Sequence, residues 1–104
     1  MSEKKKLIRQ NFRESVFGRD GYKCVFCDIT ETLDAHHITD RKEMPNGGYV
    51  ASNGISLCHE HHMLVEDWHV YGEVIEERYH PNNLYQMVGS SYEKAYLDSL
   101  KLGN

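Results

Sequence analysis

Apolar residues recur at intervals of four near the N-terminus, where Ile8, Phe12 and Val16 are separated by charged and polar residues. Side chains spaced in this way share one face of an α-helix. The spacing therefore predicts an amphipathic helix over residues 7–18, preceded by a flexible basic tail over residues 1–6.

The middle of the chain predicts two short strands separated by a polar loop. Residues 33–38 and 54–57 are the strand candidates, and residues 39–52 between them contain a dense cluster of turn-forming Pro, Asn and Gly. A helix is predicted to follow from residue 58 to about residue 67.

The C-terminal third predicts two more helices after an ambiguous segment over residues 69–79. Pro81 suits the first turn of a short helix that runs to Met87. The last helix carries the capping-box pattern Ser90-x-x-Glu93 at its start. Its predicted apolar face consists of Tyr92, Ala95, Tyr96 and Leu100.

The size and composition favour one small globular domain. The chain has 104 residues, of which 39% are hydrophobic and 27% charged. It contains no apolar run long enough to span a membrane and no apolar stretch typical of a secretion signal, so we expect a cytoplasmic protein. Three cysteines leave one unpaired, which fits a metal-stapled core better than a disulfide framework.

The net charge of −4 hides an asymmetry between the two ends of the chain. Residues 1–23 carry seven basic and three acidic side chains, a charge of +4, and the remainder carries five basic and thirteen acidic ones, a charge of −8. A basic arm that binds nucleic acid and a merely solvated terminus both explain this split.

Two Cys/His pairs have the spacing of a metal site. Cys24-x-x-Cys27 precedes Cys58-x-x-His61, which supplies three thiolates and one imidazole, a donor set that suits tetrahedral zinc. A redox dithiol would account for the first pair but not for the second. His59 competes with His61 as the fourth ligand, although His61 has the better spacing from Cys58.

Three further histidines lie outside these pairs. His36 and His37 are neighbours at the end of a predicted strand, so their side chains should point to opposite faces of the sheet. One of them can then bind a metal while the other handles a proton, and His62 can supply a second ligand to the metal. Satisfied structural histidines are the alternative.

The arrangement resembles the HNH endonucleases, the ββα-metal nucleases. The resemblance covers residues 13–66 and rests on RESVFGRDGYKCVFC, LDAHHI and NGISLCHEHHMLVE, which occur in the family's order. The last block resembles the family pattern N-x-x-x-L-C-x-x-C-H, with His61 where cysteine is usual. The resemblance implies an α+β fold with a zinc-stapled ββα-metal core over residues 7–68. A flanking N-terminal helix and a helical extension of the same domain over residues 69–104 complete it.

The resemblance also implies a role for each matching residue. His37 corresponds to the general base that activates water, while His36 and His62 correspond to ligands of a catalytic divalent ion such as Mg²⁺, Mn²⁺ or Ni²⁺. Asn53 corresponds to the asparagine that braces the loop and fixes the ring of the base, whose pKa we expect near the ordinary value of about 6.5. The structural zinc set corresponds to Cys24, Cys27, Cys58 and His61.

These roles imply a metal-dependent endonuclease that hydrolyses phosphodiester bonds of DNA, by nicking or by double-strand cleavage. Its setting would be a bacterial or phage-infected cell, in a phage, restriction system or mobile element. A non-catalytic zinc-ribbon module that binds nucleic acid or protein is the main alternative, and a zinc hydrolase of another substrate is a third.

DNA is the expected partner, contacted through four basic side chains. The acidic residues after position 60, Glu66 among them, are expected to face away from it. A homodimer or a partner protein would supply sequence specificity, and the sequence leaves these two open. The candidate DNA-binding residues are Arg13, Arg19, Arg41 and Lys42.

Overall fold

The computed structural model describes residues 2–103, in which helices surround a two-stranded antiparallel sheet in an α+β arrangement. Short 3₁₀ turns occupy much of the chain between the two strands and near the C-terminus. No helix within residues 2–103 has the length and apolar character needed to cross a membrane. The elements are α1 (Glu3–Arg19), β1 (Leu33–His37), β2 (Gly54–Cys58), α2 (His59–Tyr71), α3 (Pro81–Met87) and α4 (Tyr92–Leu100).

The first helix begins earlier than the sequence pattern predicts. The hydroxyl of Ser2 accepts a hydrogen bond of 3.2 Å from the backbone N–H of Lys5, which caps the helix N-terminus. The basic residues 4–6 therefore form the first turn of α1 instead of a tail. Phe12 and Val16, two of the three residues that define the predicted apolar face, are buried.

The two strands pair as predicted to within one residue at their ends. Leu33 lies opposite Cys58, and His37 lies opposite Gly54. The predicted polar loop between them is built from three short 3₁₀ helices, Arg41–Glu43, Pro45–Gly48 and Ala51–Asn53.

Gly54 allows α1 to pack directly on the hairpin. A Cβ atom at this position would overlap the side chain of Val16 and would lie 2.8 Å from the ring of Phe12. Because Gly54 is also the partner of His37 in the sheet, the missing side chain leaves room for the Phe12 ring beside the His37 imidazole.

The second half of the chain completes the same core as the hairpin. Ile55 and Leu57 of β2 share a buried cluster with Tyr79, Leu84 and Ala95. α3 spans the residues that the sequence predicts, and α2 continues past its predicted end until Gly72, whose φ of 73° stops it.

The start and the buried face of α4 differ from the prediction. Ser91, and not Ser90, caps the helix by accepting a hydrogen bond of 3.1 Å from the backbone N–H of Lys94. Ser90 Oγ donates instead to the carbonyl of Ser52 at 2.8 Å, so the predicted capping residue makes a tertiary contact and does not cap the helix. Of the four apolar residues predicted to be buried only Ala95 is, since Tyr92, Tyr96 and Leu100 are exposed.

Candidate functional site

Cys24, Cys27, Cys58 and His61 lie close together and could bind a metal ion such as zinc. Sγ of Cys27 is 3.8 Å from Sγ of Cys58, and Nδ1 of His61 is 3.3 Å from Sγ of Cys58 and 3.7 Å from Sγ of Cys24. Ligands on a tetrahedral zinc ion with ordinary bond lengths stand roughly 3.8 Å apart for two sulfurs and roughly 3.5 Å apart for sulfur and nitrogen. The four donors therefore fit one tetrahedral ion.

Local backbone structure places the four donors. The residues after Cys24 turn back sharply, because the N–H of Cys24 donates to the carbonyl of Ile29 at 2.8 Å and the N–H of Asp28 donates to the carbonyl of Cys24 at 2.9 Å. Cys58 ends β2, and His61 lies in the first turn of α2. His59, the competing ligand, is exposed outside the cluster.

The thiols of this cluster perturb one another. A backbone hydrogen bond at Ile29 is the largest single influence on the pKa of Cys27 and lowers it, but burial and the adjacent Cys24 and Cys58 together outweigh it and raise the pKa to about 11. Burial also opposes ionisation of Cys24, but backbone hydrogen bonds from Cys58 and nearby residues leave its pKa below the usual value. Neighbouring thiolates repel one another, so a bound cation is the natural means of keeping all three charged.

A second cluster of possible metal ligands consists of His36, His62 and Glu66. Oε2 of Glu66 lies 3.5 Å from Nδ1 of His36 and 3.5 Å from Nε2 of His62. These separations leave room for one small ion between the three atoms, since ligands of such an ion stand roughly 3.0–3.4 Å apart. The three residues line one open depression of about 350 Å³, so further ligands can reach an ion from solvent.

Asp34 holds the other side of the His62 ring. Its Oδ2 lies 3.0 Å from Nδ1 of His62. A hydrogen bond at Nδ1 leaves Nε2 free to face Glu66, which is the arrangement in which a carboxylate orients a metal-binding histidine. Asp34 lies two residues before His36 on β1 and so shares its face of the sheet.

Glu66 lies in the second cluster, although the sequence pattern predicts no role for it there and only that it faces away from DNA. It lies on α2 four residues after His62, and the two side chains meet because residues at this spacing share a helix face. His69, three residues further, stacks on His36 with 5.0 Å between ring centres. His62, Glu66 and His69 are four and three residues apart, a spacing that places them on one helix face. From the sequence alone, this spacing would have predicted that Glu66 and His69 lie beside His62.

His36 and His37 point to opposite faces of the sheet, as strand alternation predicts. His36 is 3% exposed and faces α2, while His37 faces α1, where the Phe12 ring stacks on it at 4.5 Å. Burial, aided by three neighbouring histidines, holds the pKa of His36 well below its usual value. A neutral imidazole is the form that binds a metal.

His37 also differs from the expected ordinary titration. Burial foremost, and then the charge of Arg41, lowers its pKa to about 4. The imidazole is therefore neutral at pH 7, which is the form that accepts a proton. His37 is among the residues that border the depression containing His36, His62 and Glu66, while its ring packs against Phe12 and Tyr49.

Asn53 braces the loop between the strands, but its side chain forms hydrogen bonds with residues other than His37. Oδ1 accepts hydrogen bonds from the N–H of Thr39 at 3.0 Å and the hydroxyl of Tyr85 at 2.8 Å. Nδ2 donates to the carbonyls of Thr39 at 3.1 Å and Gly48 at 3.2 Å. The expectation that Asn53 fixes the ring of His37 is therefore wrong, because aromatic side chains hold that ring.

Arg19 and Arg13, two of the residues expected to contact DNA, make different contacts within the protein. The guanidinium of Arg19 donates at 2.7 Å to the carbonyls of Ala51 and Gly54 and also pairs with Asp20, so Arg19 secures the start of β2. The DNA contact expected of Arg19 stays a prediction. The guanidinium carbon of Arg13 lies 5.0 Å from the centre of the Phe17 ring.

Arg41 and Lys42 lie at the site. Both border the depression that contains the second cluster, and Nη1 of Arg41 donates to the hydroxyl of Tyr49 at 2.9 Å. Their positions permit contact with a phosphate near His37.

Comparisons with known proteins returned no matching family model, no matching curated protein and no matching solved structure. The resemblance to HNH nucleases therefore depends on the sequence blocks quoted above alone.

Proposed function

We propose that this protein is a metal-dependent endonuclease of the HNH type that hydrolyses phosphodiester bonds of DNA. The observation that carries the proposal is one depression in which His36, His62 and Glu66 converge and which His37 also borders. A zinc-ribbon binding module needs only the cysteine cluster and would have no use for this second set of residues.

The cysteine cluster is proposed to hold a structural zinc ion. Three sulfur donors favour zinc over magnesium or calcium, and a complete set of four protein ligands leaves no position for a substrate. The site therefore joins the turn at Cys24 to the start of α2 and takes no part in the reaction.

The second cluster is proposed to hold a divalent ion such as Mg²⁺, Mn²⁺ or Ni²⁺. Such an ion supplies charge neutralisation at the phosphate and at the leaving oxygen. His36, His62 and Glu66 would bind it from the protein side, and Asp34 would keep the ring of His62 in position.

His37 is proposed to act as the general base. It is neutral at pH 7 and can accept a proton from the attacking water, with a pKa of about 4 that makes it a weaker base than an ordinary histidine. Its ring stacks on Phe12, which holds it in position without a hydrogen bond from Asn53.

Plasmid relaxation tests the proposal directly. Wild-type protein is incubated with supercoiled plasmid and Mg²⁺, Mn²⁺ or Ni²⁺, or with EDTA, alongside the variants His37→Ala and His59→Ala. We expect metal-dependent cleavage that falls by about 10²–10⁴-fold in His37→Ala. His59→Ala, which removes an exposed histidine outside both clusters, should cleave normally.

Zinc content and DNA binding of His37→Ala should equal those of the wild type. Wild-type protein that binds DNA but cleaves it with none of the three metals would favour the non-catalytic binding module.

A further inference from the structure

Tyr49 links the candidate base to two arginines. Its ring meets the His37 imidazole edge-on, with 4.7 Å between ring centres and an angle of 90°. Arg41 donates a hydrogen bond of 2.9 Å to its hydroxyl, and the guanidinium carbon of Arg9 lies 5.6 Å from its ring centre. Two positive groups from distant parts of the chain therefore meet on one aromatic ring beside His37.

The loop is built to hold this ring in place. Gly47 has a φ of +83°, and a Cβ atom there would lie 2.7 Å from a ring carbon of Tyr49. The Phe12 ring contacts Tyr49 from another side, with 5.7 Å between centres and an angle of 85°. Tyr49 therefore has little freedom to reorient, and it provides a fixed support for the two guanidinium groups.

We propose that Arg9 and Arg41, seated on Tyr49, form a clamp for neighbouring phosphates of a DNA strand that enters the site at His37. This inference rests on the proposed function and extends it, because it defines the path of the substrate. Arg9 is not among the DNA contacts expected from the sequence, and it gives the basic N-terminal helix a role at the site.

The surface on either side of Tyr49 has the charge that such a path requires. Arg41 borders the depression of the second cluster together with Lys42. Arg9 and Tyr49 line a separate groove of about 520 Å³ together with Lys4 and Lys5. A strand that crosses Tyr49 would pass from one basic surface to the other, and arginine binds phosphate well through its planar array of donors.

Tyr49 keeps both arginines close to the proposed base, because its ring contacts His37 while it binds Arg41 through its hydroxyl and lies under Arg9. Phosphates placed between these arginines would lie next to the group proposed to activate water.

Binding measurements without added divalent ion test the clamp separately from cleavage. A fluorescent DNA duplex is titrated with wild-type protein, Arg9→Ala, Arg41→Ala and Arg78→Ala over a range of salt concentrations. Arg78 is the matched control, because its guanidinium carbon also lies over a tyrosine ring, 4.8 Å from the centre of Tyr79, but it borders neither the depression nor the groove beside Tyr49. Zinc content and the circular dichroism spectrum establish that each variant is folded.

We expect Arg9→Ala and Arg41→Ala each to raise Kd by about three- to tenfold and to reduce the slope of log Kd against log salt by about 1, as for the loss of one phosphate contact. Arg78→Ala should change neither quantity. Tyr49→Phe keeps the ring but releases Arg41, so it should raise Kd by less than Arg41→Ala does.

Wild-type-like binding by both Arg9→Ala and Arg41→Ala, or equal losses in Arg78→Ala, would overturn the clamp even if the wild type cleaves DNA. Absence of cleavage by the wild type would instead overturn the endonuclease and leave the binding result intact.

Discussion

The two donor clusters share one hairpin and one helix, yet they are suited to opposite tasks. His61 and His62 are consecutive residues of α2, and each belongs to a different cluster. Successive residues of an α-helix are about 100° apart around its axis, so one histidine turns toward the cysteines and the other toward His36. Adjacent positions in the sequence can thus serve two separate sites.

The clusters differ in donor type and in access. The first combines three sulfurs with one nitrogen and includes the buried Cys24 and Cys58. The second combines two nitrogens with the oxygen of Glu66, which borders an open depression. Histidine occurs in both clusters, so its presence does not distinguish them. A metal site whose coordination positions are all filled by protein ligands stabilises the fold, whereas one with open positions can also bind a substrate.

The largest effect is expected when the cysteine cluster loses one of its four ligands. Cys58→Ser should abolish zinc binding and cooperative folding, because binding of structural zinc contributes about 10–16 kcal/mol, as much as the whole stability of a small domain. Elemental analysis and thermal unfolding measure both. His59→Ala should retain about one zinc per chain, and a folded, zinc-free Cys58→Ser protein would refute the stabilising role.

Loss of a ligand from the second cluster should leave the fold intact. Glu66→Gln keeps the size of the side chain but removes its charge, so the affinity for Mn²⁺ and the cleavage rate should each fall by at least about 100-fold while zinc content stays unchanged. Calorimetric titration with Mn²⁺ and plasmid cleavage provide the measurements. Glu60→Gln alters an exposed acid on the same helix and serves as the control; full activity of Glu66→Gln would remove Glu66 from the site.

A smaller effect is expected from the residue that positions His62. Asp34→Asn retains a polar side chain next to Nδ1 but loses the charge, which should weaken Mn²⁺ binding by about 10-fold. Glu31→Gln, an exposed change just before β1, should have no effect. Equal Mn²⁺ affinity in Asp34→Asn and the wild type would show that the carboxylate does not support the ligand.

Local patterns predicted the elements that carry the site. The turn and helix signals defined both strands to within one residue and α3 completely, and the x-x spacing identified four donors that the structure brings together. The alternation of His36 and His37 was also predictable, because the side-chain direction along a strand follows from the backbone alone.

Other features depended on contacts between distant segments. Ser91, and not Ser90, caps α4 because Ser90 donates a hydrogen bond to Ser52, and Arg19 donates hydrogen bonds to the carbonyls of Ala51 and Gly54. Each of these outcomes depends on a partner more than 30 residues away, which no local rule can identify.

The sequence by itself determined the hairpin, the donor pairs and the separation of His36 from His37, since all three follow from periodicity or short spacing. Only the tertiary structure decided that aromatic rings and not Asn53 hold His37, and that Arg9 and Arg41 meet on Tyr49. The physical reason is that pKa values and side-chain partners depend on burial and on charges brought together by folding.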